Sequence, residues 1–306
     1  MLYSLVQAQA DAFAPMRLAA RMTAAWLDRA SAGLPRSDAL ARVEAACNLI
    51  AHAGTTHVRP AFGIDSSPYG NGVVPVREEV SAETPFASLL RFVKEGAREQ
   101  PKVLVVAPMS GHFATLLRNT VRTLLPDNDV YITDWRNARD VPLSAGRFGV
   151  DECIEHLMGF MEALGPGSHV LAVCQPAPIA LAAVALMAQS GGAAQPRTLT
   201  LMAGPVDTRV SPTQVNRLAN DKPIEWFEKK LISTVPRGFP GGGRKVYPGF
   251  VQLSAFMAMN VERHCRAHYD YYENMVQGRD DKVRQHREFY DEYLAVMDLP
   301  AEFYLE

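Results

Sequence analysis

Between residues 102 and 207 the chain repeats one pattern: a short run of β-branched and apolar residues, a turn, then a run of helical length. "KVLVVAPMSG" leads into "FATLLRNTVRTLLP", an amphipathic helix closed by Pro126. "DVYITDW" precedes "GVDECIEHLMGFMEALGPG", where Gly165 and Pro166 mark a helix end. "HVLAVC" precedes "PAPIALAAVALMAQS", and "RTLTLMAGPVD" opens a fourth unit. Parallel strands cannot be joined by hairpins and need crossovers, which helices supply. Strand–helix alternation with short links therefore dictates an α/β domain with a mostly parallel sheet. "VPVREEVS" and "FASLLRFV" each supply a further strand ahead of it.

The flanks read differently. Residues 1–31 read as a helix that Pro15 breaks or kinks, and residues 38–52 as a second helix. The apolar face of the first helix suits either packing on the core or attachment to a hydrophobic surface. Residues 53–75, rich in Gly, Pro and Ser, read as a long loop. From 208 onward the alternation stops and the chain is mostly helical or irregular. The expected division is an N-terminal helical extension and loop (1–75), an α/β core (76–207), and a cap or insertion region (208–306).

Bulk properties narrow the function. A net charge of −2 over 306 residues gives no basic excess for nucleic acid. No uncharged apolar stretch is long enough to span a membrane. Cys47, Cys153, Cys174 and Cys265 are scattered and include no C-x-x-C pair, which argues against a disulfide framework or a structural zinc site. The start of the chain has no basic residue before its apolar part and gains Asp11 early, so it does not read as a signal peptide. These features make a reducing, cytoplasmic setting the expectation, with no metal and no cofactor.

Cys174 stands where a strand ends and a helix begins. In an open α/β sheet reactive groups collect at the carboxyl ends of strands. A nucleophile on such an elbow is exposed by the sharp turn, and the helix N-terminus behind it favours negative charge. Hydrolase elbows carry small residues two positions to either side; Ala172 fits, and Pro176 can open a helix. Cysteine is also among the most buried residues, so nucleophile and buried core thiol both remain open. An oxyanion hole needs the backbone N–H after the nucleophile, here Gln175, and a second from the turn after an earlier strand. "VVAPMSGH" offers Met109, with Ser110 close behind.

Other signals point mainly to structure. His264 and His268 in "HCRAH" have metal-ligand spacing but lack the glutamate of the zinc motif. "GFPGGGRK" has glycines like a phosphate loop, but no strand precedes it and Lys245 is followed by Val246; it reads as a flexible loop. Asp134 either bonds into the site or caps the next turn. Trp135, Trp226 and the tyrosines at 269–272 are core, cap or contacts to an apolar substrate.

The blocks "FGIDSSPYGNGVVPVREEV", "VLVVAPMSGHFATLLRNTV", "DVYITDWRNARDVP", "AVCQPAP", "YPGFVQLSAFMAMNVERH" and "LPAEFYLE" together resemble the intracellular polyhydroxyalkanoate depolymerases, relatives of the polyhydroxyalkanoate synthases. The resemblance implies an α/β-hydrolase fold. It also implies a cysteine nucleophile at the position of Cys174, and hydrolysis of stored poly(3-hydroxybutyrate) at the granule surface in the cytoplasm. It leaves a synthase-like acyl transfer and a catalytically inactive granule-binding protein as alternatives. Oligomeric state and side-chain preference in the polyester are not legible.

The chain departs from the pattern in one respect. α/β-Hydrolases place nucleophile, acid and histidine in that order, and only one strand is evident after Cys174. The expectation is a C-terminally truncated chain whose acid and histidine lie beyond residue 306. The competing arrangement takes Asp207 as the acid and His264, His268 or His286 as the base. His112, just after the oxyanion turn, either lines the site or starts a helix at the surface.

Overall fold

The computed structural model describes residues 2–31 and 37–306. Helix α1 (Leu2–Ser31) is a single element with Pro15 inside it, so Pro15 does not break the helix; Met1 lies outside the described residues. Helix α2 (Asp38–His52) is as expected.

The stretch 53–75 is not a single loop. It holds β1 (Ser66–Tyr69) and the start of β2 (Gly72–Glu83), an antiparallel hairpin with Tyr69 opposite Gly72. Its two-residue turn needs a positive φ at the first central position, which Gly70 supplies at +57°. The same Gly and Pro residues that suggested a loop thus serve a tight turn and an edge strand.

Strand β3 (Ala87–Lys94) pairs antiparallel with β2, and β4 (Lys102–Val106) follows. A short 3₁₀ turn, Ala114–Leu117, precedes α3 (Arg118–Leu124). Then come β5 (Asp129–Trp135), α4 (Val150–Leu164), β6 (His169–Val173), α5 (Ala177–Ser190) and β7 (Thr198–Met202). The sheet order is β1-β2-β3-β5-β4-β6-β7. Strands β5, β4, β6 and β7 are mutually parallel, as the crossover helices require. β4 is buried from Val103 to Val106, as befits a strand covered on both faces. This is the α/β-hydrolase arrangement, with a predominantly parallel sheet and helices at its crossovers.

The remainder is helical with a small sheet: α6 (Gln214–Asp221), α7 (Ile224–Lys230), β8 (Ser233–Thr234), β9 (Lys245–Tyr247), α8 (Gly249–Ala258), α9 (Val261–Val276), α10 (Asp280–Tyr293), β10 (Leu299–Pro300) and α11 (Ala301–Leu305). The segment 238–245, expected to be flexible, is packed. Arg244 is buried, and its guanidinium donates to the carbonyls of Val141, Gly146 and Pro142 at 3.1, 2.9 and 2.6 Å. A Cβ on Gly241 would lie 2.7 Å from the carbonyl oxygens of Ala138 and Arg139. The glycines here permit close backbone approach, and the basic residue is spent on protein carbonyls.

The packing also divides the chain differently from the sequence boundaries at 76 and 208. Two compact units form: a helical unit of residues 1–58 and 250–296, and a sheet unit of 59–249 and 297–306. Pairing between segments two hundred residues apart leaves no local sequence signal. In the helical unit Ala45 packs with Tyr271 and Met275, flanked by Leu49.

Candidate active site

The elbow after β6 is built by register. Val106 at the end of β4 lies beside Ala172 of β6, so the turns that follow both strands leave the sheet at one edge. The Cys174 N–H donates to the Met202 carbonyl of the β7 ladder at 2.8 Å, while its own carbonyl accepts from Ala177 N–H at 3.1 Å and starts α5. Satisfying both within one residue forces a sharp reversal, and Cys174 sits at φ +65°. That region costs a side-chain-bearing residue on the order of 1–3 kcal/mol.

Small residues make the reversal fit. Ala172 and Ala177 are fully buried. A Cβ on Gly204 would stand 2.0 Å from Ala177 Cβ and 3.1 Å from the Cys174 carbonyl, so only glycine lets the turn after β7 approach. The sequence had not singled out Gly204; its signal was a glycine two residues past a strand end.

Cys174 is exposed and free, which excludes the buried-thiol alternative. Cys153 in α4 is the contrasting case: it is buried, and desolvation pushes its thiol well above the ordinary range.

Of the two residues expected to supply oxyanion donors, Met109 reaches the side chain of Gln175. Met109 N–H donates to the side-chain Oε1 of Gln175 at 3.2 Å. The Met109 N–H is thus turned toward the elbow, where the side-chain amide of Gln175 satisfies it. The turn is itself held from β5. Thr133 Oγ1 accepts from Ala107 N–H at 2.9 Å, and Trp135 Nε1 donates to Ala107 carbonyl at 2.8 Å. Trp135 is therefore buried structure and not a substrate contact. Ser110 is half-buried in the same turn. His112 is buried, so its surface alternative is excluded.

Asp134 is engaged elsewhere. Arg59 Nε lies 2.7 Å from its carboxylate, and Arg59 also stacks over Phe62. Burial raises the Asp134 pKa, opposed by Arg59. The role is to tie residues 59–62 to the sheet.

The acids and bases proposed after the elbow each have partners of their own. Asp207 is paired with Arg209 through both carboxylate oxygens, at 2.9 Å each, which holds its pKa down. His264, His268 and His286 belong to the helical unit. There His264 Nδ1 meets the Tyr290 hydroxyl at 2.9 Å, His268 Nδ1 meets the His264 carbonyl, and His286 stacks on Tyr271 and Tyr290. Within the sheet unit, His169 begins β6, five residues and about 16 Å of strand before the elbow. His156 bonds to the Glu152 carbonyl and packs edge-on to Phe148.

Residues 203–306 match the family described as PHB de-polymerase C-terminus. Over that stretch, about a third of the chain, the sequence is similar to the C-terminal region of PHB depolymerases. The matched segment begins at Ala203, directly after β7, and carries the turn of Gly204 that packs on the elbow.

No curated protein matches the chain. Among solved structures it is similar to an α/β hydrolase enzyme from the metagenome of Lake Arreo, Spain, at 18% identity, covering 66% of this chain and 63% of that one, with a TM-score of 0.34. It is also similar to a membrane phospholipase A described as a bacterial virulence factor (13% identity, 69% and 63% coverage, TM-score 0.38). A third is brefeldin A esterase, a bacterial homologue of human hormone sensitive lipase (14% identity, 60% and 54% coverage, TM-score 0.36). The chain spans less than two thirds of each of these structures.

Proposed function

We propose that this chain is a polyester hydrolase acting on stored poly(3-hydroxybutyrate), with Cys174 as nucleophile. The observation that carries this reading is the exposed cysteine at φ +65° on the strand–helix elbow, with Met109 N–H a side chain's reach away. The PHB de-polymerase C-terminus match supports the substrate class.

In this reaction Cys174 Sγ adds to an ester carbonyl. Met109 N–H and Gln175 N–H hold the resulting oxyanion once the Gln175 amide has swung away. The C–O bond breaks, the departing alcohol takes the proton that the thiol gave up, and a 3-hydroxyacyl thioester remains. Water then cleaves the thioester, releasing the acid and restoring the thiol. Both proton transfers call for a histidine base. The setting is the cytoplasmic surface of a polyester granule. No described helix is long and apolar enough to cross a membrane.

The test is release of 3-hydroxybutyrate or its oligomers from amorphous poly(3-hydroxybutyrate), with trapped acyl-enzyme located by mass spectrometry. Cys174→Ala should abolish both release and acylation. Undiminished cleavage by this variant refutes the assignment. Polymer formed from a coenzyme A thioester indicates acyl transfer to a growing chain, and granule binding without any acylation at Cys174 indicates a binding protein.

A further inference from the structure

One face of α1 buries Tyr3 and Ala24, with Val6, Gln7, Ala10, Arg17, Ala20 and Leu27 half-buried around them. The opposite face is open and carries no charge along its centre. Leu5, Met16, Met22 and Trp26 are 67, 50, 65 and 65% exposed, and Ala8, Ala12, Pro15 and Ala19 lie between them. At about 100° per residue these eight fall on one side of the helix. An apolar strip broken only by Ser4 and Thr23, along a helix about 45 Å long, is far more than scattered surface hydrophobes.

The strip has a second property. Asp11 and Arg29 project from the same edge of it, nine residues before and nine after Ala20. Leu18 and Met22 share that edge, two residues before and after the same point. We infer that α1 is a homodimerisation surface, on which a second copy of this chain packs antiparallel about a two-fold axis at Ala20. A two-fold perpendicular to the helix brings the same edge of each copy together with the axes reversed. It places Asp11 against Arg29 of the partner copy, twice, and Leu18 against Met22 of the partner copy, twice. It also sets Trp26 over the notch of small residues at Ala12, Pro15 and Ala19, as knobs-into-holes packing requires. Met22 and Trp26 lie toward the C-terminal end of the strip and Ala12, Pro15 and Ala19 toward its middle, so between residues 9 and 31 large side chains of one copy meet small ones of the other in the antiparallel sense. A granule or lipid surface has no use for a charge pair in this register. The inference does not depend on the ester-hydrolase reading.

The test is sedimentation velocity over a range of concentrations on the full chain, with circular dichroism to confirm folding. The wild type should be a dimer. Trp26→Glu should raise the dimer Kd by at least about thirtyfold, as loss of a central aromatic anchor does. Ala19→Glu, on the same exposed strip, should do the same and guards against a folding defect in the first. Asp11→Arg and Arg29→Asp should each weaken the dimer by roughly tenfold, and the double exchange should restore it, since each then meets its complement. A chain that stays monomeric overturns the inference, as does a dimer indifferent to Trp26→Glu and Ala19→Glu. A monomer whose Trp26→Glu variant loses binding to amorphous poly(3-hydroxybutyrate) beads would instead identify a polymer-binding face.

Discussion

Cys174 holds a backbone conformation that is costly for any side chain, because two ladders meet there: β7 claims its N–H and α5 claims its carbonyl. The sequence already placed a thiol at this junction, since a strand pattern and a helix pattern abut at one residue. It could not show that the Gln175 side chain reaches across to Met109 N–H, because that contact joins residues on different turns. In the proposed reaction the amide oxygen competes with the oxyanion for this donor. Gln175→Leu should therefore raise kcat/KM on a soluble 3-hydroxybutyrate ester by up to about tenfold, the worth of one ordinary hydrogen bond. Backbone donation from residue 175 is unaffected. A fall in kcat at constant KM would show that Gln175 instead braces the turn.

At the scale of elements, the parallel strands were legible because a strand's burial and a helix's period are local properties. The hairpin of β1 and β2 was not, because the glycines and proline that form a tight turn and an edge strand are those that mark a loop. The packed segment around Arg244 was missed for a similar reason: glycine signals freedom, yet here it admits neighbouring backbone. Strand β5 supports the oxyanion turn by clasping Ala107 between Thr133 and Trp135. Thr133→Val keeps the shape but leaves the buried Ala107 N–H without its acceptor. It should cost about 1–3 kcal/mol in chemical denaturation. It should also lower ester cleavage without altering alkylation of Cys174 by a small reagent.

For the whole molecule, the division into a sheet unit and a helical unit sets how it responds to acid. In the helical unit, burial pushes the His286 pKa down to about 4, and repulsion from His268 adds to this. The unfolded chain then binds the proton more readily than the folded one. The stabilising contribution is complete above about pH 6.5 and is lost as pH falls toward 4. Discounted for partial exposure, it is on the order of 1–2 kcal/mol. Hydrogen exchange should show α9 and α10 losing protection at pH 5 before β4 and β6 do. His286→Phe, which keeps a ring on Tyr271, should flatten that dependence.

The helical unit is assembled from both sides of the sheet unit's chain, and the polypeptide passes between the two at residues 58, 249 and 296. This has a consequence for synthesis. Helix α2 leaves the ribosome long before α9, whose Tyr271 and Met275 cover Ala45. At about 5–20 residues per second the intervening stretch takes on the order of 10–40 s to make. Through that interval the first half of the helical unit stands with its inner face in water, and its companion arrives only after the strands of the main sheet have emerged. Early termination anywhere before α9 leaves that face uncovered, a ready target for chaperones and proteases.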